Sequence, residues 1–150
     1  TASAPSAADR SYAVTLAPCA HHVYVNPDEP GLPARWLGGS SQATATVFDL
    51  TADTTVDIVL SVELTGTVTA GAAPREGAVV WASNPGPGKW TASAPSAADG
   101  SYAVTVAPGA HQVYVNPNEP GLPARWLGGT SQATATVFDL TADTTVDIVL

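Results

Sequence analysis

The chain holds one cysteine, Cys19, one lysine, Lys89, and no apolar run approaching the roughly 18 residues a helix needs to cross a bilayer. Each shortage excludes something. A lone thiol builds no disulfide framework, so cysteine usage does not identify the compartment. Five basic residues against thirteen acidic ones leave a formal charge of −8 and no Lys/Arg cluster able to follow a phosphate backbone. Nucleic acid is therefore not an expected partner, and neither is membrane insertion. No charged-then-apolar signal segment opens the chain, but Thr1 already lies inside a repeat, so a leader further upstream is compatible with the sequence. No segment carries a useful i, i+3, i+4, i+7 apolar stripe, which argues against a helical protein.

What is present is repetition. Residues 1–60 return as residues 91–150 with six differences: Arg10/Gly100, Leu16/Val106, Cys19/Gly109, His22/Gln112, Asp28/Asn118 and Ser40/Thr130. The period is 90 residues, so the 150-residue chain divides into an incomplete repeat, 1–60, and a complete one, 61–150. Charged residues make up only 12% of the chain, and the dominant Ala, Thr, Ser, Val, Gly and Pro suit exposed β-structure with many turns. The complete repeat predicts seven strands, near Val62–Thr69, Gly77–Ala82, Trp90–Ala94, Ser101–Val106, His111–Val115, Ala133–Asp139 and Thr145–Leu150. Tyr102, Val104 and Val106 alternate with Ser101, Ala103 and Thr105, the period of a half-buried strand. Asp99-Gly100 is a tight-turn dipeptide, and Ala107-Pro108-Gly109 the next turn. Arg10 and Cys19 replace both glycines in the first copy, at a cost of about 1 kcal/mol each if the backbone stays at positive φ. The reading is all-β, tandem seven-stranded Ig-like or transthyretin-like β-sandwich repeats with the first copy incomplete.

Leu64-Thr65-Gly66-Thr67-Val68, Gly77-Ala78-Val79-Val80, Ala98-Asp99-Gly100-Ser101-Tyr102 and Ala107-Pro108-Gly109-Ala110-His111, in that order, resemble the carboxypeptidase regulatory-like domain. This is a transthyretin-like β-sandwich related in shape to the collagen-adhesin B-type repeats of bacterial surface proteins. The tail, from Arg125-Trp126-Leu127-Gly128-Gly129 to Leu150, is similar to versions repeated in secreted proteins of GC-rich bacteria. The resemblance implies a non-catalytic spacer, adhesive repeat or enzyme appendage that is secreted or held at the cell surface. Adhesin repeats often carry a Lys–Asn isopeptide bond, but here the first strand offers Glu63 and no lysine, Lys89 sits in a Pro/Gly loop, and residues 144–150 lack asparagine.

Catalytic and metal patterns find little footing. There is no Gly-x-Ser-x-Gly elbow, His-Glu-x-x-His helix or phosphate-binding loop. His21 and His111 are the only histidines shared by the copies, and Cys19-Ala20-His21-His22 becomes Gly109-Ala110-His111-Gln112 in the second. Neighbouring strand residues His21 and His22 face opposite ways, so no metal or other cofactor is expected; Cys19 remains able to form an intermolecular disulfide. Asn26-Pro27-Asp28-Glu29-Pro30-Gly31 loosely resembles a calcium loop but has the wrong spacing for an EF-hand and reads as a Pro-braced loop. Trp36 and Trp126 are the binding candidates. Each could stack on a sugar ring beside Arg35 or Arg125, or plug the open end of a sandwich. Trp81, by its strand placement, reads as a core or interface residue.

Counting pieces raises an assembly question. Residues 61–90 form a front piece with two strands, and each sixty-residue block is a back piece. One front serves two backs. Leu60 enters Ser61 without a turn or spacer, so the front cannot readily lie antiparallel beside residues 1–60, and linked units should form a stiff rod. The expected assembly strands are those carrying Val62, Leu64, Val68, Val79 and Trp81. The expected partners are copies of the chain or a strand-donating neighbour, with polysaccharide as the alternative through Trp36 and Trp126.

Overall fold

The computed structural model describes residues 1–28, 32–85 and 90–150. Lys89 and residues 29–31 of the oxygen-rich loop lie outside the described residues. The chain divides into two units, one of Thr1–Asn26 with Ala34–Asp57 and one of Pro27–Pro33 with Ile58–Leu150.

The first unit has four short strands: β1 (Cys19–His22), β2 (Tyr24–Val25), β3 (Arg35–Trp36) and β4 (Val47–Leu50). They form two separate antiparallel pairs, β1 with β4 and β2 with β3. Residues 12–18 and 53–60 adopt no regular strand. Ala45 is its single buried hydrophobic residue among those described.

The second unit is a β-sandwich. Its strands are β5 (Val62–Ala70), β6 (Ala73–Pro74), β7 (Val79–Ser83), β8 (Trp90–Pro95), β9 (Ser101–Val106), β10 (Gly109–Asn116), β11 (Arg125–Trp126), β12 (Val137–Leu140), β13 (Thr144–Thr145) and β14 (Ile148–Val149). In one sheet β7 lies between β8 and β10, and β10 carries β11 and β12 on its other side. In the other sheet β5 is flanked antiparallel by β9 and parallel by β13 and β14, with β6 folding back on its end. The two sheets enclose Val62, Leu64, Val68, Tyr102, Val104, Val106 and Ile148 against Ala78, Val80, Ala82, Val113, Val115 and Leu140. Period-2 alternation selects these side chains, as in β9, where exposed and buried residues alternate along the whole strand.

The front piece thus supplies an inner strand to each sheet. Fully burying a Val or Leu side chain contributes about 1.5–3 kcal/mol, and Val62, Leu64, Val68 and Val80 are all essentially inaccessible. Net domain stability is only about 5–15 kcal/mol. Losing four such residues together with both inner ladders therefore removes the sandwich. The first unit retains what the front does not touch: β1–β4 repeats the register of β10–β12, and β2–β3 repeats that of β10–β11. The counterparts of β5, β7 and their neighbours' ladders are missing from it.

Several expectations are corrected. The strand expected over Ala133–Asp139 starts later, at Val137, because Gln132–Thr134 forms a 3-10 turn. There the Thr134 hydroxyl accepts the N–H groups of Thr130 and Ser131, and such local bonds compete with a ladder. The last strand, expected as one piece, is split into β13 and β14 around Val146 and Asp147. Asp143 Oδ1 accepts the N–H of Glu63 at 2.9 Å, and Asp147 Oδ1 accepts that of Thr67 at 2.9 Å, so carboxylates stand in for ladder carbonyls. β6 and β11 are additional short strands. Of the two glycine replacements, Arg10 keeps a left-handed φ of 68° against 81° at Gly100, whereas Cys19 leaves the positive-φ region that Gly109 occupies.

One close approach fixes the edge of the second sheet. Tyr102 Oη donates to the carbonyl of Val146 at 2.6 Å, beneath Gly66, where an added Cβ would lie 2.1 Å from that carbonyl oxygen. Burial, and secondarily the nearby Asp147 carboxylate, raise the pKa of the Tyr102 phenol, so it stays protonated and donating. The first unit keeps the equivalent bond, Tyr12 Oη to Val56 O at 2.6 Å, but there the ring is 41% exposed rather than 4%.

Two outcomes follow. Hydrogen exchange will show the amides of Ser101–Val106 protected and those of the nearly identical residues 11–16 exchanging rapidly; equal protection contradicts this contrast between the units. Tyr102→Phe will lower stability in urea by about 1–3 kcal/mol by stranding a buried carbonyl, whereas Tyr12→Phe will leave the same transition nearly unchanged.

Candidate functional site

Trp126 does not plug an end of the sandwich. It pairs across β10 with Tyr114, and both rings stand on the outer face of the sheet. The strand period places Trp81 on that same outer face, because Val80 and Ala82 point inward. Of the two readings of Trp81, core or interface, the core one is therefore corrected. Trp90 at the start of β8 completes the group, so four adjacent strands each contribute one aromatic ring. Trp90 is the hub: its ring centroid lies 5.5 Å from Trp81, 5.4 Å from Tyr114 and 5.3 Å from Trp126, the last stacked and nearly parallel at 16°. Tyr114 and Trp126 are 5.0 Å apart. Trp90 is 47% exposed, and the other three rings are half-buried.

Next to this wall, Arg125, Trp126, Leu127, Gly128 and Gly129 line a shallow hollow of about 300 Å³. Arg125 is exposed at its edge. An aromatic platform with a hydrogen-bonding fork beside it can stack on a flat ligand face and hold a ring hydroxyl or carboxylate. Trp126 and Arg125 were candidates from the sequence, and the structure places Trp90 and Tyr114, which were not, beside Trp126. The available signal was register: Tyr114, two residues from buried Gln112 and facing opposite Val113 and Val115, lies directly across from Trp126.

The first unit holds a reduced version. Trp36 packs on Tyr24 at 4.9 Å and on His22 at 6.3 Å, and Tyr24 is 54% exposed. Trp81 and Trp90 both come from the front piece, so no equivalent rings cover Tyr24. Partial burial lowers the pKa of Arg35, whose counterpart Arg125 is exposed. Trp36 with Arg35 belongs to the first unit, and Trp126 with Arg125 to the second.

The remaining candidates are dispersed. Val62, Leu64 and Val68 are buried in their own sandwich, while Val79 is half-buried on β7 beside the aromatic wall's strand. Cys19 is exposed, with its sulfur 3.1 Å from His21 Nε2, which also meets the Ala17 carbonyl at 2.9 Å. His22 turns toward Trp36 instead. His111 is buried, its Nε2 against the Ala107 carbonyl at 2.8 Å. No group of three or more His, Cys, Asp or Glu side chains able to hold a metal ion occurs among the described residues.

Replacing Trp90 with Ala will remove three ring contacts of about 0.5–1.5 kcal/mol each and abolish the coupled tryptophan signal in circular dichroism. Replacing Trp36 will leave that signal in place; its loss there instead would contradict the arrangement.

No protein-family model matches the chain, and no curated protein does so. Among solved structures, the chain is similar to a crystal structure of a DUF3823 family protein from Parabacteroides merdae, at 15% identity and a TM-score of 0.40. That similarity covers 59% of this chain and 45% of the other, so it spans less than half the length of the structure it matches.

Proposed function

We propose that the chain is a non-catalytic structural repeat of a secreted or cell-surface stalk, filament or adhesive protein. The carboxypeptidase regulatory-like, transthyretin-like character of its tandem repeats belongs to this reading. The observation that carries it is the parallel pairing of the last strand segments, β13 and β14, with the first strand, β5. In the 90-residue repeat the tail runs into the next first strand without a spacer, as Leu60 runs into Ser61. A chain passing between complete copies therefore keeps its direction instead of turning back. The tail pairs with residues 80 positions earlier, while the period is 90, so successive first strands are displaced by ten residues. At about 3.3 Å per residue that is an axial step of about 33 Å. Units joined in this way transmit load through continuous strands, which suits a spacer. Strand complementation between units belongs to the same reading, with copies of the chain or a strand-donating neighbour as partners.

A second reading rests on the aromatic wall: an accessory module that binds polysaccharide or cell-wall glycan through Trp126, Trp90 and Arg125. The two readings separate experimentally. Arrays of two, three and four complete repeats, measured by small-angle X-ray scattering, will lengthen by about 33 Å per unit; lengths that do not grow linearly contradict the stalk. Titration with soluble polysaccharides will quench Trp126 fluorescence under the binding reading and lose its effect in Trp126→Ala. A flat titration removes that reading and leaves the first intact.

A further inference from the structure

The tail of the complete repeat carries a short period of its own. Asp143-Thr144-Thr145-Val146 is followed by Asp147-Ile148-Val149-Leu150, so each tetrad opens on an acid and closes on an aliphatic residue. Both tetrads make the same pair of bonds to β5. In the first, Asp143 Oδ1 accepts the Glu63 N–H and the Val146 N–H donates to the Thr65 carbonyl at 2.8 Å. In the second, Asp147 Oδ1 accepts the Thr67 N–H and the Leu150 N–H donates to the Thr69 carbonyl at 2.8 Å. Between them the backbones pair in parallel, Thr144 and Thr145 with Leu64 and Thr65, then Ile148 and Val149 with Val68 and Thr69. Hydroxyls add to the seam: that of Thr67 donates to Asp147 Oδ1 at 2.9 Å, and those of Thr65 and Thr145 lie 3.2 Å apart.

The direction of this seam matters more than its length. β5 starts at Val62, and the tail ends at Leu150 beside Thr69, so the chain enters and leaves the seam at opposite ends. Tension between those ends slides the tail along β5 and loads every crossing bond together. The two ends of a hairpin lie side by side instead, and tension there opens one bond at a time. β5 is also held by β9 from Val62 to Thr67, whereas β13 and β14 pair with β5 alone among the described residues. The tail is therefore the element that yields. Two features oppose its slide besides the seam: Ile148 is buried in the core, and the Tyr102 hydroxyl holds the Val146 carbonyl.

Building on the structural-repeat reading, we propose that the complete unit is a tension-bearing module in which the tail and β5 form a shear clamp, and that Asp143 and Asp147 set the force at which it yields. Leu60 runs into Ser61 without a spacer, so tension along an array of complete repeats enters a unit at residue 61 and leaves it at Leu150. That is the direction in which the seam is strongest. The tail's strand is broken at Val146 and Asp147, and the Asp147 carboxylate spans the break by taking the Thr67 N–H. Without the two carboxylates the seam falls into two short ladders that yield in turn. Asp143 and Asp147 are exposed, and a surface hydrogen bond adds little to equilibrium stability because water replaces it when it opens alone. Under shear no bond opens alone, so the carboxylates count for more against force than against heat or denaturant. Forced unfolding reads the barrier rather than the equilibrium, and so reads the clamp.

The test is single-molecule stretching of the 150-residue chain carrying Cys19→Ser and held through two introduced cysteines. Ser61→Cys with a cysteine appended after Leu150 pulls the seam in shear. Ala72→Cys with the same appended cysteine pulls from the turn at the Leu150 end and peels the seam. Ser61 and Ala72 are both exposed, and neither force path runs through residues 1–60. At one pulling speed the shear pair will unfold at several times the force of the peeling pair. Asp143→Ala with Asp147→Ala will bring the shear force down toward the peeling force and leave the peeling force unchanged. Asp→Asn at both positions, which keeps an acceptor oxygen, will restore most of the loss. Equal forces in the two geometries overturn the clamp. An undiminished shear force in the double alanine chain, or an equal fall in both geometries, overturns the role of the carboxylates. Where the double variant fails to fold, Asp147→Ala alone decides that role by the same comparison. None of these failures alters the axial growth of arrays of complete repeats, so the stalk reading stands or falls separately.

Discussion

A strand in the interior of a sheet has two neighbours, and its removal costs both ladders at once. β5 and β7 hold such positions in the two sheets of the second unit, and both lie within the thirty residues that occur only once in the chain. Everything else in the sandwich pairs with one of them or with a strand that does. The core follows from this, because its largest fully buried side chains, Leu64 and Leu140, lie in opposite sheets brought together by the front piece. The aromatic wall follows too, since Trp81 comes from β7 and Trp90 from the strand paired with it.

Side chains rather than ladder bonds complete the joints. Ser96, buried at the corner between the sheets, donates to the Arg75 carbonyl at 2.5 Å while its own oxygen accepts the Ala78 N–H at 3.0 Å. At the Asp99-Gly100 turn the Ser101 hydroxyl and N–H hold the Asp99 carboxyl below its usual pKa range. The same arrangement at Asp9 and Ser11 lowers the Asp9 pKa in the first unit, so this turn forms without its sandwich. Ser96 has no such independence, because every partner named here belongs to the front. Local chemistry closes turns, and tertiary partners are needed to close the corner.

Much of the second unit was legible in its residues. The alternation of Ser101–Val106 is an unambiguous period of two, and the turn glycines bracket it. The boundaries of β5, β8 and β10 lie close to those expected, for the same reason. Where the reading missed, a competing interaction had won. Thr134 tied its own turn, and Asp143 and Asp147 interrupted the last strand by taking over its pairing with β5. Strand placement left Trp81 open between core and interface, and its two neighbours, Val80 and Ala82, occupied the inner face. Trp90 and Tyr114 were missed because 24 positions separate them in the chain, and only sheet pairing brings their centroids to 5.4 Å.

The near-identity of the two blocks separates what a sequence determines alone from what its surroundings decide. By itself the sixty-residue text determines the all-β character, the Asp-x-Ser turn, the 3-10 turns at Gln42–Thr44 and Gln132–Thr134, the tyrosine–carbonyl bond and the two pairs β1–β4 and β2–β3. These recur in both copies because their partners lie within the text. Whether Tyr-x-Val becomes a buried strand or an extended segment was decided only by tertiary structure. A strand's backbone groups and apolar face must be satisfied from outside it, and residues 61–90 do so for the strands of residues 91–150.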